Sequence, residues 1–267
     1  MSAFGLLGLG SIVVVAVMTG LFLLGKRIAN FSYVDIGWSA NFTVLALLYG
    51  VLGDGAPVHR LLLCTMYGVW GARLAWHLGR RVIGHPEEGR YVELRTRWGA
   101  AGESAFLRRM YRFYLIQAAL DVVLALPLLL AATDARPELS PFEWAAAVLW
   151  VIALLGESIA DATLDRFKAD PNNRGRVCDV GLWRYSRHPN YFFEWLVWVA
   201  YALACFASLP WGAFGILLPA LMLYFLLRVT GIPATEAQAL RSRGAAYADY
   251  QARTSPFVPL PPRRSRS

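Results

Sequence analysis

The stretch Val180–Glu194 gathers Arg184, Arg187, His188, Asn190, Tyr191 and Glu194 immediately before an apolar run. Asn, Tyr and His supply hydrogen-bond donors and acceptors, the arginines supply planar cationic forks suited to oxyanions, and a carboxylate stands among them. His188-Pro189 predicts a non-helical approach to a helix, because proline suits the first helical turn and restrains the residue before it. Asn190 and Glu194, one turn apart, then share a face. Glu194 falls at the edge of a span that cannot solvate it, where an ionisable group is a functional candidate. Its bland alternative is a partner for the helix dipole.

Other polar groups interrupt apolar sequence. Asp35 lies in Ser32-Tyr-Val-Asp-Ile-Gly-Trp38, and Arg73, Gln117 and Asp121 lie inside apolar runs, where they need partners or a cavity. An Arg73–Asp121 pair and a substrate contact are equally open readings. His77, Arg80 and Arg81 are followed by the turn-like Glu87-Glu88-Gly89-Arg90-Tyr91, where ion pairing would clamp a loop. The histidines at 59, 77, 85 and 188 form no HExxH or HxxxH pattern, so no metal site is expected. Cys64, Cys178 and Cys205 show no CxxC spacing and read as buried thiols.

The elements that must position these groups are set by the solvent. Of 267 residues, 57% are hydrophobic and 16% charged, and the mean hydropathy is +0.43. An ordinary soluble domain carries roughly 25% charged residues. Phe4–Leu24 holds no charged residue and is followed by Lys26 and Arg27. That block exceeds the roughly 7–15 residues of a signal-peptide core and has its basic pair behind it, so it reads as a span. Further blocks at 37–52, 61–78, 113–132, 142–160, 192–207 and 211–227 bring the total to seven of helical length. They are apolar all round and do not alternate, which sets membrane strands aside.

With the amino terminus outside, the inner segments 25–36, 79–112, 161–191 and 228–267 carry two, eight, six and seven basic residues, which is 23 of 26. The positive-inside rule asks for this asymmetry, and an even number of spans would destroy it. The fold expected is therefore all-α: an integral membrane protein with seven transmembrane helices, amino terminus out and carboxy terminus cytoplasmic. It forms a single membrane-embedded domain over 1–267, with a tail Pro256–Ser267 expected to fray. Inner connections of about thirty residues suggest a shared polar site on the cytoplasmic face. Ten Trp and few Lys among the bases give no solvated basic domain for nucleic acid.

Gly181–Glu194, continued by Trp198 and Tyr201-Ala202-Leu203, resembles the carboxy-terminal signature of the membrane steroid 5-alpha-reductase family and its bacterial relatives of formerly unknown function, the DUF1295 type. Asp161-Ala-Thr-Leu stands at that family's Ser-Asp-x-x-Leu stretch, and Tyr250-Gln-Ala-Arg-Thr-Ser-Pro-Phe-Val-Pro at its ending. The resemblance is strong over 150–260 and weak in the amino-terminal half, 1–140. It implies a seven-helix membrane enzyme that reduces a ring double bond conjugated to a ketone, with NADPH bound on the cytoplasmic side.

Carried over by position, Asn190 and Glu194 would contact the nicotinamide half of NADPH and Asp161 its ribose or adenine portion. Arg176, Arg187 and Arg228 would lie near its phosphates, and His188 and Tyr191 belong to the same cofactor segment. Arg90 and Tyr91 are also expected on the cofactor, the ion-paired clamp being their alternative. No Gly-x-Gly-x-x-Gly joins a strand to a helix, so helix ends and loops would hold the dinucleotide. In mammalian relatives an acid opening the second span and a tyrosine in the third engage the substrate ketone. Asp35 stands near the first place. Trp76-His77-Leu-Gly-Arg-Arg supplies no tyrosine for the second, which leaves Tyr67 as substitute. The implied reaction is hydride transfer to a 3-keto-4-ene steroid, saturating C4–C5, with Asp35 or Tyr67 as the donor to the ketone.

Arg187-His188-Pro189-Asn190-Tyr191 followed by Glu194 also resembles, more distantly, the cofactor motif of isoprenylcysteine-type and phospholipid membrane methyltransferases, which use S-adenosylmethionine. The Gly181-Leu182-Trp183 lead-in, Asp161 and the excess of arginines favour the reductase. A non-catalytic lipid-binding protein is a third reading. Expected partners are an apolar steroid or related enone from the bilayer and membrane lipids, and the expected location is a bacterial inner membrane.

Overall fold

The computed structural model of the chain describes residues 1–229 and 231–263. Their regular elements are all helical, with one isolated parallel bridge between Ser186 and Ser255 and no strand among the described residues. The chain forms two units, Met1–Ser140 and Pro141–Ser267.

The first unit holds α1 (Ala3–Ile28), α2 (Tyr33–Leu52), α3 (Pro57–Val82), α4 (Gly89–Gly99), α5 (Glu103–Leu124) and α6 (Leu126–Thr133). Ser2 caps α1 by accepting from the Gly5 amide, and Ala29 ends it in the left-handed conformation at φ 55°. Apolar helices pack in hydrocarbon chiefly by close approach, which small residues permit. Gly10 makes room for the Tyr49 hydroxyl and Gly37 for Leu21, so that α1 and α2 lie together. Gly71 similarly admits Ser39 and Thr43 of α2 against α3, and Thr43 Oγ1 donates across the contact to the Gly68 carbonyl at 3.0 Å.

Sequence reading gives one span over 113–132, but the helix is broken at Ala125. Pro127 has no N–H for the carbonyl one turn behind it, and the chain restarts as α6. Tyr67 of α3 occupies the break, its hydroxyl donating to the Leu124 carbonyl at 2.9 Å.

The second unit holds α7 (Pro141–Ala169), α8 (Pro189–Cys205), α9 (Leu217–Tyr224) and α10 (Ile232–Arg253), with short 3-10 turns between them and a π-helical turn at Phe225–Val229. Gly156 of α7 lies under the Phe193 ring of α8, where a Cβ would sit 2.3 Å from the ring. Gly244, at φ 51° and ψ −126°, bends α10 back on itself. The tail does not fray where it is described: Arg187 N donates to the Ser255 carbonyl at 2.8 Å, Leu260 N to that of Tyr185 at 2.9 Å, and Arg263 N to that of Arg253 at 2.8 Å. Residues 264–267 lie outside the described residues.

Six helical segments among the described residues are long and apolar enough to cross a bilayer: α1, α2, the α5–α6 pair, α7, 189–208 and the segment opening at Trp211. The helix α3 replaces the third apolar block and runs 26 residues, about 39 Å at the usual helical rise. It is not among the six, because Arg60, Arg73, His77, Arg80 and Arg81 depress its hydropathy.

Candidate functional site

In the first unit the polar groups meet at the head of α2. Asp35, on its opening turn, accepts from the Tyr91 hydroxyl at 2.8 Å through Oδ1 and pairs with Arg90 through Oδ2. Arg90 is 43% exposed and Asp35 17%. The guanidinium lies over the Tyr91 ring, 4.8 Å from its centroid, and its Nε stands 3.6 Å from Glu88, which also takes Arg81 at 2.8 Å.

The segment that supplies these groups is fastened down along its length. Phe31 N donates to Glu87, Glu88 N to Ser32 Oγ, and the Asn30 amide to the His85 carbonyl. Tyr91 is buried, and that burial first, then the Asp35 charge beside it, hold its phenol well above the ordinary tyrosine pKa. Tyr91 is therefore a hydrogen-bond donor at physiological pH, not a base.

Sequence reading offered Tyr67, like Asp35, as a donor to the substrate ketone. In the structure the tyrosine hydrogen-bonded to Asp35 is Tyr91. Tyr67 is fully buried beside Phe42, two turns beyond Asp35 along α2, with its hydroxyl committed to the broken end of α5. The ion-paired clamp weighed for Arg90 is likewise observed. Arg73 and Asp121 do not pair; Asp121 takes its hydrogen bond from Asn41.

In the second unit the polar groups line the α7–α8 contact. Asn190 Nδ2 donates to Asp161 Oδ1 at 3.2 Å, across 29 residues of sequence. Asn190 Oδ1 is buried with no hydrogen-bond partner. Glu194 lies one turn further along α8, half-buried, and Glu157 one turn back along α7, buried. Gly181, at φ 58°, turns the lead-in so that Trp183 Nε1 donates to the Ala160 carbonyl at 2.9 Å, beside Asp161. His188 leaves helical geometry at φ −139° and ψ 59°, as its place before proline requires.

The remaining expected residues divide by exposure. Arg176 and Arg228 are exposed. Arg187 is 9% exposed. Its Nε donates to Glu236 at 2.6 Å and its Nη1 to the carbonyls of Gln251 at 3.0 Å and Thr254 at 2.6 Å. His188 Nε2 stands 3.3 Å from the same Glu236 oxygen, and its ring stacks on Tyr191 at 5.3 Å. The Tyr191 and Thr235 hydroxyls share a hydrogen bond of 3.3 Å.

Sequence reasoning missed Glu236 and Gln251, which the Gly244 bend brings together at 2.9 Å. The only signal for them was a carboxylate in a basic inner segment. Burial pushes the Cys178 thiol up, in keeping with an unreactive buried cysteine. No group of three or more potential metal ligands occurs among the described residues.

Residues 21–254 match the profile of a family described as "Protein of unknown function (DUF1295)". The chain belongs to this DUF1295 family. The chain is also similar to an uncharacterised protein of Schizosaccharomyces pombe, with 25% identity over 216 residues, 69% of this chain and 61% of that protein. The chain thus matches less than two thirds of that relative's length. No solved structure matches. The DUF1295 match contains both polar clusters, Asp35–Tyr91 and Asp161–Asn190.

Proposed function

We propose that the protein is a seven-span membrane reductase of the steroid 5-alpha-reductase type, with α3 as the span that the hydropathy of its arginines disguises. On this reading the amino terminus is outside, the cofactor binds from the cytoplasm, and the substrate is a 3-keto-4-ene steroid or related enone drawn from the bilayer. The single observation carrying it is the Asn190–Asp161 contact with the buried, unpartnered Asn190 Oδ1 beside Glu194 and Asp161. Such an oxygen is costly unless a donor reaches it. A nicotinamide carboxamide has that donor, and the exposed forks of Arg176 and Arg228 suit phosphates.

NADPH, when bound, would supply the hydride that adds to the β-carbon of the enone. The ketone oxygen then gains negative charge, which the protonated Tyr91 phenol would stabilise by turning its one proton from Asp35 to the substrate. Asp35, held by Arg90, positions that phenol before the exchange. In this role Tyr91 takes the place first given to Tyr67. A proton from water completes the saturated ketone at the α-carbon.

A second reading, an S-adenosylmethionine-dependent membrane methyltransferase, is favoured by one observation: Arg187 is consumed internally, while Glu157, Asp161 and Glu194 crowd the α7–α8 contact, a balance suited to a cationic cofactor. Thermal melting of the purified protein with NADPH and with S-adenosylmethionine separates the two. Stabilisation by NADPH, together with loss of cofactor absorbance on adding a 3-keto-4-ene steroid, supports reduction. Stabilisation by S-adenosylmethionine alone overturns it. Stabilisation by neither points to a lipid-binding protein.

A further inference from the structure

A wholly buried carboxyl of the first unit plays no part in the Asp35–Tyr91 pair. Asp121, near the end of α5, and Asn41, within α2, are both wholly inaccessible. Asn41 Nδ2 donates to Asp121 Oδ2 at 2.6 Å. Each group has one further oxygen, and neither Asn41 Oδ1 nor Asp121 Oδ1 has a hydrogen-bond partner. Among the described residues the buried carboxyl forms no salt bridge, and its hydrogen-bond partner is the Asn41 amide.

An ionised Asp121 accounts poorly for these facts. A carboxylate only accepts hydrogen bonds, as does an amide oxygen, so an ionised pair would strand two acceptors among apolar side chains. It would also bury a negative charge between apolar helices without a cation. One proton removes both difficulties. Placed on Asp121 Oδ1 it creates an O–H donor, Asn41 Oδ1 becomes its acceptor, and the charge is gone. The pair would then match a carboxylic acid and a carboxamide edge to edge, each giving and taking one hydrogen bond.

We infer that Asp121 is a proton-binding site: it is carried as the neutral acid and forms with Asn41 a reciprocal pair of hydrogen bonds that locks α2 to α5. The proton is taken up from water as the helices assemble, and no other bond is made or broken. Asp35 is then the carboxylate of α2's head, and the body of the helix is fixed by an uncharged link that pH does not loosen.

Infrared spectroscopy of the purified protein in lipid nanodiscs tests this directly. The wild type is expected to show a protonated-carboxyl C=O band that persists between about pH 5 and 8 and disappears in Asp121→Asn. That variant retains a donor and an acceptor without charge, so it is expected to melt within about 3 °C of the wild type, whereas Asp121→Ala and Asn41→Leu melt lower. A band unchanged by Asp121→Asn, or melting of Asp121→Asn as low as Asp121→Ala, overturns the inference. Where Asp121→Ala fails to fold, the infrared comparison of wild type and Asp121→Asn decides alone.

Discussion

Tyr67 and Tyr91 of the first unit both donate to oxygen, but their partners give them different work. Tyr91 donates to a side chain at the half-open head of α2, whereas Tyr67 donates to a main-chain carbonyl inside the unit. Tyr91→Phe is expected to lower steroid-reducing turnover on the order of a hundredfold, the usual effect of deleting a donor to a developing oxyanion. Tyr67→Phe should leave turnover within a few-fold and lower stability by about 1–2 kcal/mol, since the Leu124 carbonyl loses its phenol donor. Paired activity assays and thermal melts of the two variants check this contrast, and a larger loss of turnover in Tyr67→Phe reverses the assignment. Asp35→Asn removes the charge that pairs with Arg90, and full turnover in that variant would remove Asp35 from the mechanism. Asp35 itself was legible as an acid beside an apolar block. Its partner was not, because Tyr91 lies 56 residues away on a short helix whose placement depends on the Glu87 and Glu88 contacts. Neither periodicity nor spacing encodes such a contact.

Helix contacts set the geometry of the second cluster. Asn190 reaches Asp161 because α7 and α8 approach closely at Gly156, where Phe193 takes the room a side chain would need. Gly156→Ala must displace that ring or part the helices, at a cost of about 1–3 kcal/mol for overpacking. Adding Phe193→Leu should return part of the loss, and thermal melts of the single and double variants measure the coupling. If Gly156→Ala melts with the wild type, the contact is looser than described. The α10 hairpin is held in another way, by Glu236 between Arg187 and His188. Glu236→Gln keeps the shape but removes the charge from a largely buried guanidinium, and should destabilise by about 2–4 kcal/mol. The long apolar helices were legible because hydrocarbon demands uninterrupted apolar length. The Gly244 bend was not, since a glycine among polar residues reads equally as helix, turn or loop.

At the scale of the whole molecule, the disputed quantity is whether α3 crosses the bilayer. Its ends carry Arg60, which donates to the Gly50 and Gly53 carbonyls at 3.0 and 2.9 Å, and the pair Arg80 and Arg81. Basic residues at both ends of a helix of about 39 Å suit a span whose long side chains snorkel outward, and Arg73 is the expensive exception. The distribution of charge along the sequence favours crossing, because a crossing α3 puts the 25–36 segment, with Lys26 and Arg27, on the same side as the basic segments 79–112, 161–191 and 228–267. The count of seven apolar blocks includes 61–78, and it exceeds the six long apolar segments because the arginines and histidines of α3 lower its hydropathy. Single cysteines in a cysteine-free variant settle the matter in intact cells. With seven spans, Ala135→Cys is expected to react with a membrane-impermeant maleimide from outside, while Ala101→Cys reacts only after the membrane is opened. If α3 does not cross, Ala101 lies on the same side as the 53–56 turn, and Ala101→Cys is labelled from outside without permeabilisation. That outcome would also move Arg90 and Tyr91 to the outer face, away from cytosolic NADPH, and so remove the topological support for the reductase reading together with the seventh span.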